Sequence, residues 1–93
     1  MNKLQLVKIV SGKLEIDQKT VNIVLNEIIE TIGETVADGE EVMLVNFGTF
    51  GNRFRKSRTF RNPKTGAEVE APDAVLPHFK PGRGLKRKVN ELL

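Results

Sequence analysis

Val21, Val24, Leu25, Ile28, Ile29, Ile32 and Val36 recur at spacings of three and four, so on a helix they form one unbroken apolar stripe. Asn26, Glu27, Glu30 and Glu34 fall largely away from it. Asp17 is placed to accept a free N–H of the first turn, and Gly39 supplies a stop, because glycine takes the left-handed conformation cheaply. Each buried aliphatic side chain contributes about 1.5–3 kcal/mol, so such a stripe demands a large apolar partner. The rest of the 93-residue chain has little to give it. A first helix over residues 3–14 offers Leu4, Val7, Val10 and Leu14, with Gly12 near its end, and Phe47, Phe50 and Phe79 lie further on. Residues from about 53 to 76 are charged and poor in large apolar groups, which leaves roughly 70 residues to build a core. One compact monomer is one way to cover the stripe. Two copies packed about a two-fold axis are the simpler way.

The second half changes character. Glu41 to Val45 is predicted as a strand entering a turn at Asn46-Phe47-Gly48, and a longer extended segment runs from Thr49 to about Arg61. Asn62-Pro63-Lys64-Thr65-Gly66 is dense turn chemistry. Glu68-Val69-Glu70-Ala71 then alternates as a returning strand should, making a long hairpin. Pro72 and Pro77 break or bend that return and suit edge positions. Pro81-Gly82 ends it, and residues 83–92 form a last helix with Leu85, Val89 and Leu92 on one side and Lys86, Arg87 and Lys88 around the others. There is no internal repeat. The order defines an α+β class: a helical part, a small antiparallel sheet and a long protruding hairpin arm.

Charge divides the chain as sharply as secondary structure does. Residues 1–47 carry four Lys against eight acids, a net −4, whereas residues 48–93 carry eleven Lys and Arg against four acids, a net +7. An acidic scaffold half with a cationic working half is the footprint of a polyanion binder. Cysteine is absent, which excludes disulfides, thiolate metal ligands and a thiol nucleophile. No apolar run reaches the ~18 residues of a membrane span, so the expectation is a cytoplasmic protein without a membrane partner. Enzymatic chemistry, a metal, a cofactor and a small-molecule substrate are not expected. His78 is the only histidine and reads as a strand residue beside the sheet. Gly82-Arg83-Gly84 lacks the strand-to-helix context and spacing of a phosphate-binding loop. Glu68 and Glu70, on one strand face of a basic arm, suit exposed ion pairs better than acid–base work.

The cations concentrate in Arg53-Phe54-Arg55-Lys56-Ser57-Arg58-Thr59-Phe60-Arg61. In one regular strand Arg53, Arg55 and Arg61 share a face, and Arg58 lies opposite unless a bulge intervenes. The planar, weakly hydrated guanidinium suits phosphates and narrow minor grooves, although a solvated edge strand also uses charge against aggregation. Pro63, flanked by Arg61, Asn62 and Lys64, has the composition of a minor-groove wedge. It equally has that of a proline that simply shapes a turn.

Taken together, Phe47-Gly48-Thr49-Phe50, Arg53, Arg55, Arg58, Arg61-Asn62-Pro63, Thr65-Gly66, Pro72, Pro77, Phe79-Lys80-Pro81-Gly82 and Leu85-Lys86 resemble, in order over essentially the whole chain, the bacterial HU and integration host factor family. The likeness is greatest to HU. It implies a single domain of 93 residues, with residues 1–47 as the mainly helical dimerisation part, about 53–76 as the arm and 83–92 as the C-terminal helix. The implied assembly is an intertwined homodimer, or a heterodimer with a paralogue, whose two arms embrace the minor groove of double-stranded DNA; members of this family are standard examples of such binding. The implied function is largely sequence-independent binding, bending and compaction of nucleoid DNA. A sequence-preferring integration-host-factor type of protein is the alternative, and an RNA-binding protein a more distant one. By position, Pro63 would intercalate, and Arg53, Arg55, Arg58, Arg61, Asn62 and Lys64 would line the arm. Lys3, Lys80, Arg83 and Lys86 would contact phosphates on the body. Two positions depart from the family pattern. Asn46 stands where a small residue is usual, and asparagine tolerates the positive φ the turn needs. Phe60 replaces a small residue just before the tip.

Overall fold

The computed structural model describes residues 1–91. Its order is α1 (Lys3–Leu14), α2 (Gln18–Ala37), β1 (Val42–Leu44), β2 (Gly48–Arg55), β3 (Arg58–Arg61), β4 (Glu68–Ala71), β5 (Ala74–Pro81) and α3 (Arg83–Asn90). This is the α+β class read from the sequence. The expected Leu92 contribution to the last helix lies outside the described residues. The chain divides after Glu34 into two units.

In the first unit, Asn2 and Gln5 cap α1 reciprocally: the Asn2 side chain accepts from Gln5 N, and Asn2 N donates to Gln5 Oε1, each at 2.9 Å. Asp17 caps α2 as its position predicts, accepting from Thr20 N at 3.1 Å, Thr20 Oγ1 at 2.8 Å and Lys19 N at 3.3 Å. The Thr20 hydroxyl and these amides hold the Asp17 carboxyl below its ordinary range. Apolar residues of α1 and α2, among them Leu6, Val10, Leu14, Val21, Val24 and Ile28, line an open groove. Among the described residues of the single chain only Val7, at 3% exposure, is a buried hydrophobic residue, whereas Ile23, Val24, Ile28 and Ile29 keep 59%, 52%, 49% and 53%. The stripe is formed, but one chain leaves much of it bare.

In the second unit, α2 ends on paired bonds from Gly39 N to Val36 O and Glu40 N to Thr35 O, at 3.0 and 3.1 Å, with Gly39 at φ 88°. This is a Schellman ending that requires the left-handed residue. β1, β2 and β5 form an antiparallel sheet in that order, and β3 pairs with β4 in a second, two-stranded one. β1 is shorter than the Glu41–Val45 segment expected. The single extended run expected from Thr49 to Arg61 is also corrected. It is interrupted at Lys56–Ser57, across from a matching interruption at Pro72–Asp73, and Ser57 N donates to the Asp73 carboxylate there. Pro72 forbids a ladder bond at this point, and Asp73 supplies a substitute acceptor. Pro77 stays inside β5 opposite Asn52, on the sheet's outer strand, where a missing N–H is harmless.

The aromatic residues gather on one face of the three-stranded sheet. Phe79 packs against Phe50 and Phe47 with ring centroids 4.7 and 5.7 Å apart. Gly48 permits that packing: a Cβ there would sit 2.4 Å from Phe79 Cε1 and Cζ and 2.8 Å from Lys80 O. Gly48→Ala is therefore expected to destabilise the fold by about 1–3 kcal/mol, as overpacking does. The check is a shift of the urea midpoint to lower concentration at fixed protein concentration, and an unchanged midpoint would contradict the crowding. Asn46, at φ 67°, keeps the β1–β2 turn in the conformation expected of it. The turn's carbonyls then seat the last helix, with Leu85 N bonded to Asn46 O at 2.9 Å and Gly82 N to Phe47 O at 2.8 Å.

Candidate nucleic-acid interface

Strand alternation sorts the second unit's side chains into two faces. Val42, Phe50, Phe54, Val75 and Phe79 share the aromatic face, by the registers Val42↔Phe50, Phe50↔Phe79 and Phe54↔Val75. The other face carries Thr49 and Lys80 as partners, then Gly51 with His78, Arg53 with Leu76, and Arg55 with Ala74. Arg53, Arg55 and Lys80 are thus brought onto one surface. His78 joins them: its Nε2 lies 3.2 Å from Arg53 Nη2, and since the guanidinium is donor only, the ring nitrogen accepts. Glu41 is the acid on this side, with its Cγ 3.4 Å from where a Gly51 Cβ would stand. Asn52, pointing the opposite way, donates from Nδ2 to Val36 O at 2.8 Å and ties β2 to the end of α2.

The register of β1 stops at Phe50, so from Gly51 onward β2 and β5 continue as two strands alone, to Arg55 opposite Ala74. Beyond the interruption β3 and β4 carry the ribbon to its tip. There Asn62 N bonds Ala67 O and Gly66 N bonds Asn62 O, both at 2.8 Å, and the Asn62 side chain accepts from Lys64 N at 2.9 Å. Gly66, at φ 70°, closes the turn, with Pro63 and Lys64 both exposed at its end. Pro63 therefore sits in a side-chain-braced turn, the arrangement that either a wedge or a turn-shaping proline would use.

The pairing register keeps step across the interruption, with Arg55 opposite Ala74 on one side of it and Arg58 opposite Ala71 on the other. Within the ribbon Arg58 and Phe60 share one face, Thr59 and Arg61 the other, and Arg58 Cζ lies 5.7 Å from the Phe60 ring centroid. Arg83 and Lys86 lie on α3, directly after β5. Gly82-Arg83-Gly84 thus does have a strand-to-helix setting, contrary to the sequence reading, although its spacing is still not that of a phosphate loop. Gly82 is the helix N-cap and makes no side-chain cap bond. Lys3 belongs to the first unit, where its ammonium is hydrogen-bonded to Asn26 Oδ1. The parts of the surface that sequence reasoning missed are Thr49 and His78. Their signal was present in the alternation Leu76-Pro77-His78-Phe79-Lys80, whose even members face the cations.

An antiparallel sheet with one aromatic and one cationic face, prolonged into a ribbon with a braced proline tip and accompanied by an apolar helical unit, defines a DNA-binding architectural class. The sequence matches the family described as "Bacterial DNA-binding protein" over residues 1–90. It is 39% identical to integration host factor subunit beta of Marinobacter nauticus over 92 residues, covering 98% of this chain and 94% of that one. It is 43% identical to DNA-binding protein HU of a Nostoc species over 89 residues, covering 96% and 95%. Among solved structures, an Anabaena HU–DNA cocrystal structure is similar at a TM-score of 0.87 and 43% identity, covering 96% of this chain and 97% of that one. The chain belongs to the bacterial DNA-binding protein family of HU and integration host factor.

Proposed function

We propose that two copies of this chain form one body that binds double-stranded DNA with little sequence preference and bends it through the minor groove, condensing the nucleoid in the bacterial cytoplasm, without catalysis. The observation that carries this reading is the placement of Arg53, Arg55 and Lys80 on one sheet face, leading into a ribbon that ends at Asn62-Pro63-Lys64. Arg58 and Arg61 add charge on the two faces of the arm, and Arg83, Lys86 and Lys3 add phosphate contacts on the body. Pairing of two copies covers the half-exposed Ile23, Val24, Ile28 and Ile29, which a lone chain leaves in water. Among the described residues no helix is long and apolar enough to cross a membrane.

Affinity of this kind is mostly electrostatic. For Z neutralised phosphates log K falls against log salt with a slope of about −0.9Z. The test is a salt series of gel shifts on linear, nicked and pre-bent duplexes. A steep slope with preference for distorted DNA supports the reading, and no binding at low ionic strength ends it. Pro63→Ala is expected to relax the bend strongly, read by energy transfer between labelled duplex ends. Kd should change only about threefold, because the unstacking cost and the wrapping contacts it permits are lost together. An unchanged bend removes the wedge role.

The likeness to integration host factor subunit beta favours a second reading, in which sequence preference arises from DNA deformability rather than from base contacts. Competition between one defined site and bulk DNA separates the two.

A further inference from the structure

His78, the chain's only histidine, stands on the same sheet face as Arg53, Arg55 and Lys80. Phe79, next along β5, packs against Phe50 and Phe47 on the opposite face, so alternation fixes the side from which the His78 ring projects. The ring nitrogen accepts from Arg53 Nη2 at 3.2 Å, and a guanidinium has donors only, so this bond exists only while the imidazole is neutral. An imidazolium has two donors and no acceptor. It loses the bond and repels the guanidinium. Glu41 stands at the other end of the same row. Gly51 is the register partner of His78, and Glu41 lies beside Gly51, with Cγ 3.4 Å and Oε1 3.9 Å from where a Cβ would be. Gly51 itself puts no side chain between the carboxylate and the ring. The charged groups that face His78 are thus Glu41 from the β1 side, Arg53 and Arg55 on β2, and Lys80 on β5.

We infer that His78 is a positioning residue for Arg53, and that its proton sets how strongly the sheet face holds DNA. This deepens the proposed DNA-binding reading and rests on it. The neutral ring engages the Arg53 guanidinium and holds it along the sheet. The protonated ring, taking its proton from solvent, releases Arg53 to the phosphates and offsets Glu41, the carboxylate that repels them. Both effects have one sign. DNA is held more tightly as pH falls through the range in which histidine gains its charge, between about pH 8 and pH 5, and binding takes up protons. Arg53 and His78 are both exposed, so their hydrogen bond adds little to folding and the effect belongs to affinity.

The test is the Kd of the full-length protein for a linear duplex, measured by fluorescence anisotropy at pH 6 and pH 8 at a fixed 0.15 M salt. The parent is expected to bind about fivefold or more tightly at pH 6, the scale of one added phosphate contact at this salt. His78→Gln keeps an acceptor for Arg53 but never gains a charge, so the ratio of the two affinities should fall below about twofold. Lys80→Ala removes a permanent charge from the same face; it should weaken binding at both pH values and keep the ratio. Calorimetric titrations near pH 7 in two buffers of different ionisation enthalpy give a second readout, on the parent itself. They should show net proton uptake, lost in His78→Gln. A parent that binds equally at both pH values, or a His78→Gln variant that keeps the parent's ratio and proton uptake, overturns the assignment while leaving DNA binding intact. A parent protein without salt-dependent binding at either pH fails the underlying reading instead.

Discussion

Ile29→Glu should abolish the folded dimer at micromolar concentration. Ile29 is 53% exposed in the single chain, so in a monomer this exchange would be a surface substitution, within about 0.5 kcal/mol of neutral. In a two-fold assembly each copy instead buries an unpaired carboxylate, at about 3–5 kcal/mol per copy. Two such losses are comparable with the whole stability of a small protein, about 5–15 kcal/mol. Sedimentation and circular dichroism melts at several protein concentrations make the check. The parent should sediment as a dimer with a Tm that rises with concentration, whereas the variant should be largely unfolded. A monomeric parent with a concentration-independent Tm, or a variant that melts like the parent, would refute the paired body.

Replacing Arg53, Arg55 and Arg58 together by alanine should produce the largest loss of DNA affinity. If each neutralises one phosphate equivalent, the log–log salt slope becomes shallower by about 2.7, and affinity at 0.15 M salt falls on the order of a hundredfold. The loss should be the same for every duplex sequence, because contacts to the backbone carry no base information. Lys80, on the same sheet face, remains and should preserve weak binding at low salt. A slope unchanged from the parent would mean that the phosphates are met elsewhere on the molecule. Loss confined to one sequence would mean base readout.

Much of this architecture was legible from residue order. The α2 stripe, the Asp17 cap, the Gly39 ending and the positive φ of Asn46 each follow from a local rule, and each is realised. The cationic surface was half legible. Arg53 and Arg55 share a face by simple alternation, but their partners on β5, Leu76 and Ala74, depend on a register set between strands distant in sequence. What local rules missed was the interruption. Periodicity carried one strand to Arg61 because Lys56 and Ser57 are ordinary strand residues. Only Pro72-Asp73, distant in sequence and opposite in space, shows why the ladder stops there. The contact between Arg53 and His78 is likewise non-local, joining residues on two strands, so a lone histidine read along the chain gives no hint of it.

If the sheet face and the arm both meet DNA as proposed, the interruption would divide complex formation into two stages. The sheet's cationic face lies on one side of the break, the ribbon and its tip on the other, and at the break itself the strands are held to each other by Ser57 N bonded to the Asp73 carboxylate. Reorienting the ribbon about that link disturbs one hydrogen bond rather than a ladder of them. An encounter can therefore begin on the sheet alone, at a rate governed by charge attraction, before the ribbons settle into the groove. Arrival would then depend on the body and residence time on the arms, so a protein of this build can sample many stretches of a chromosome briefly and dwell only where the helix yields.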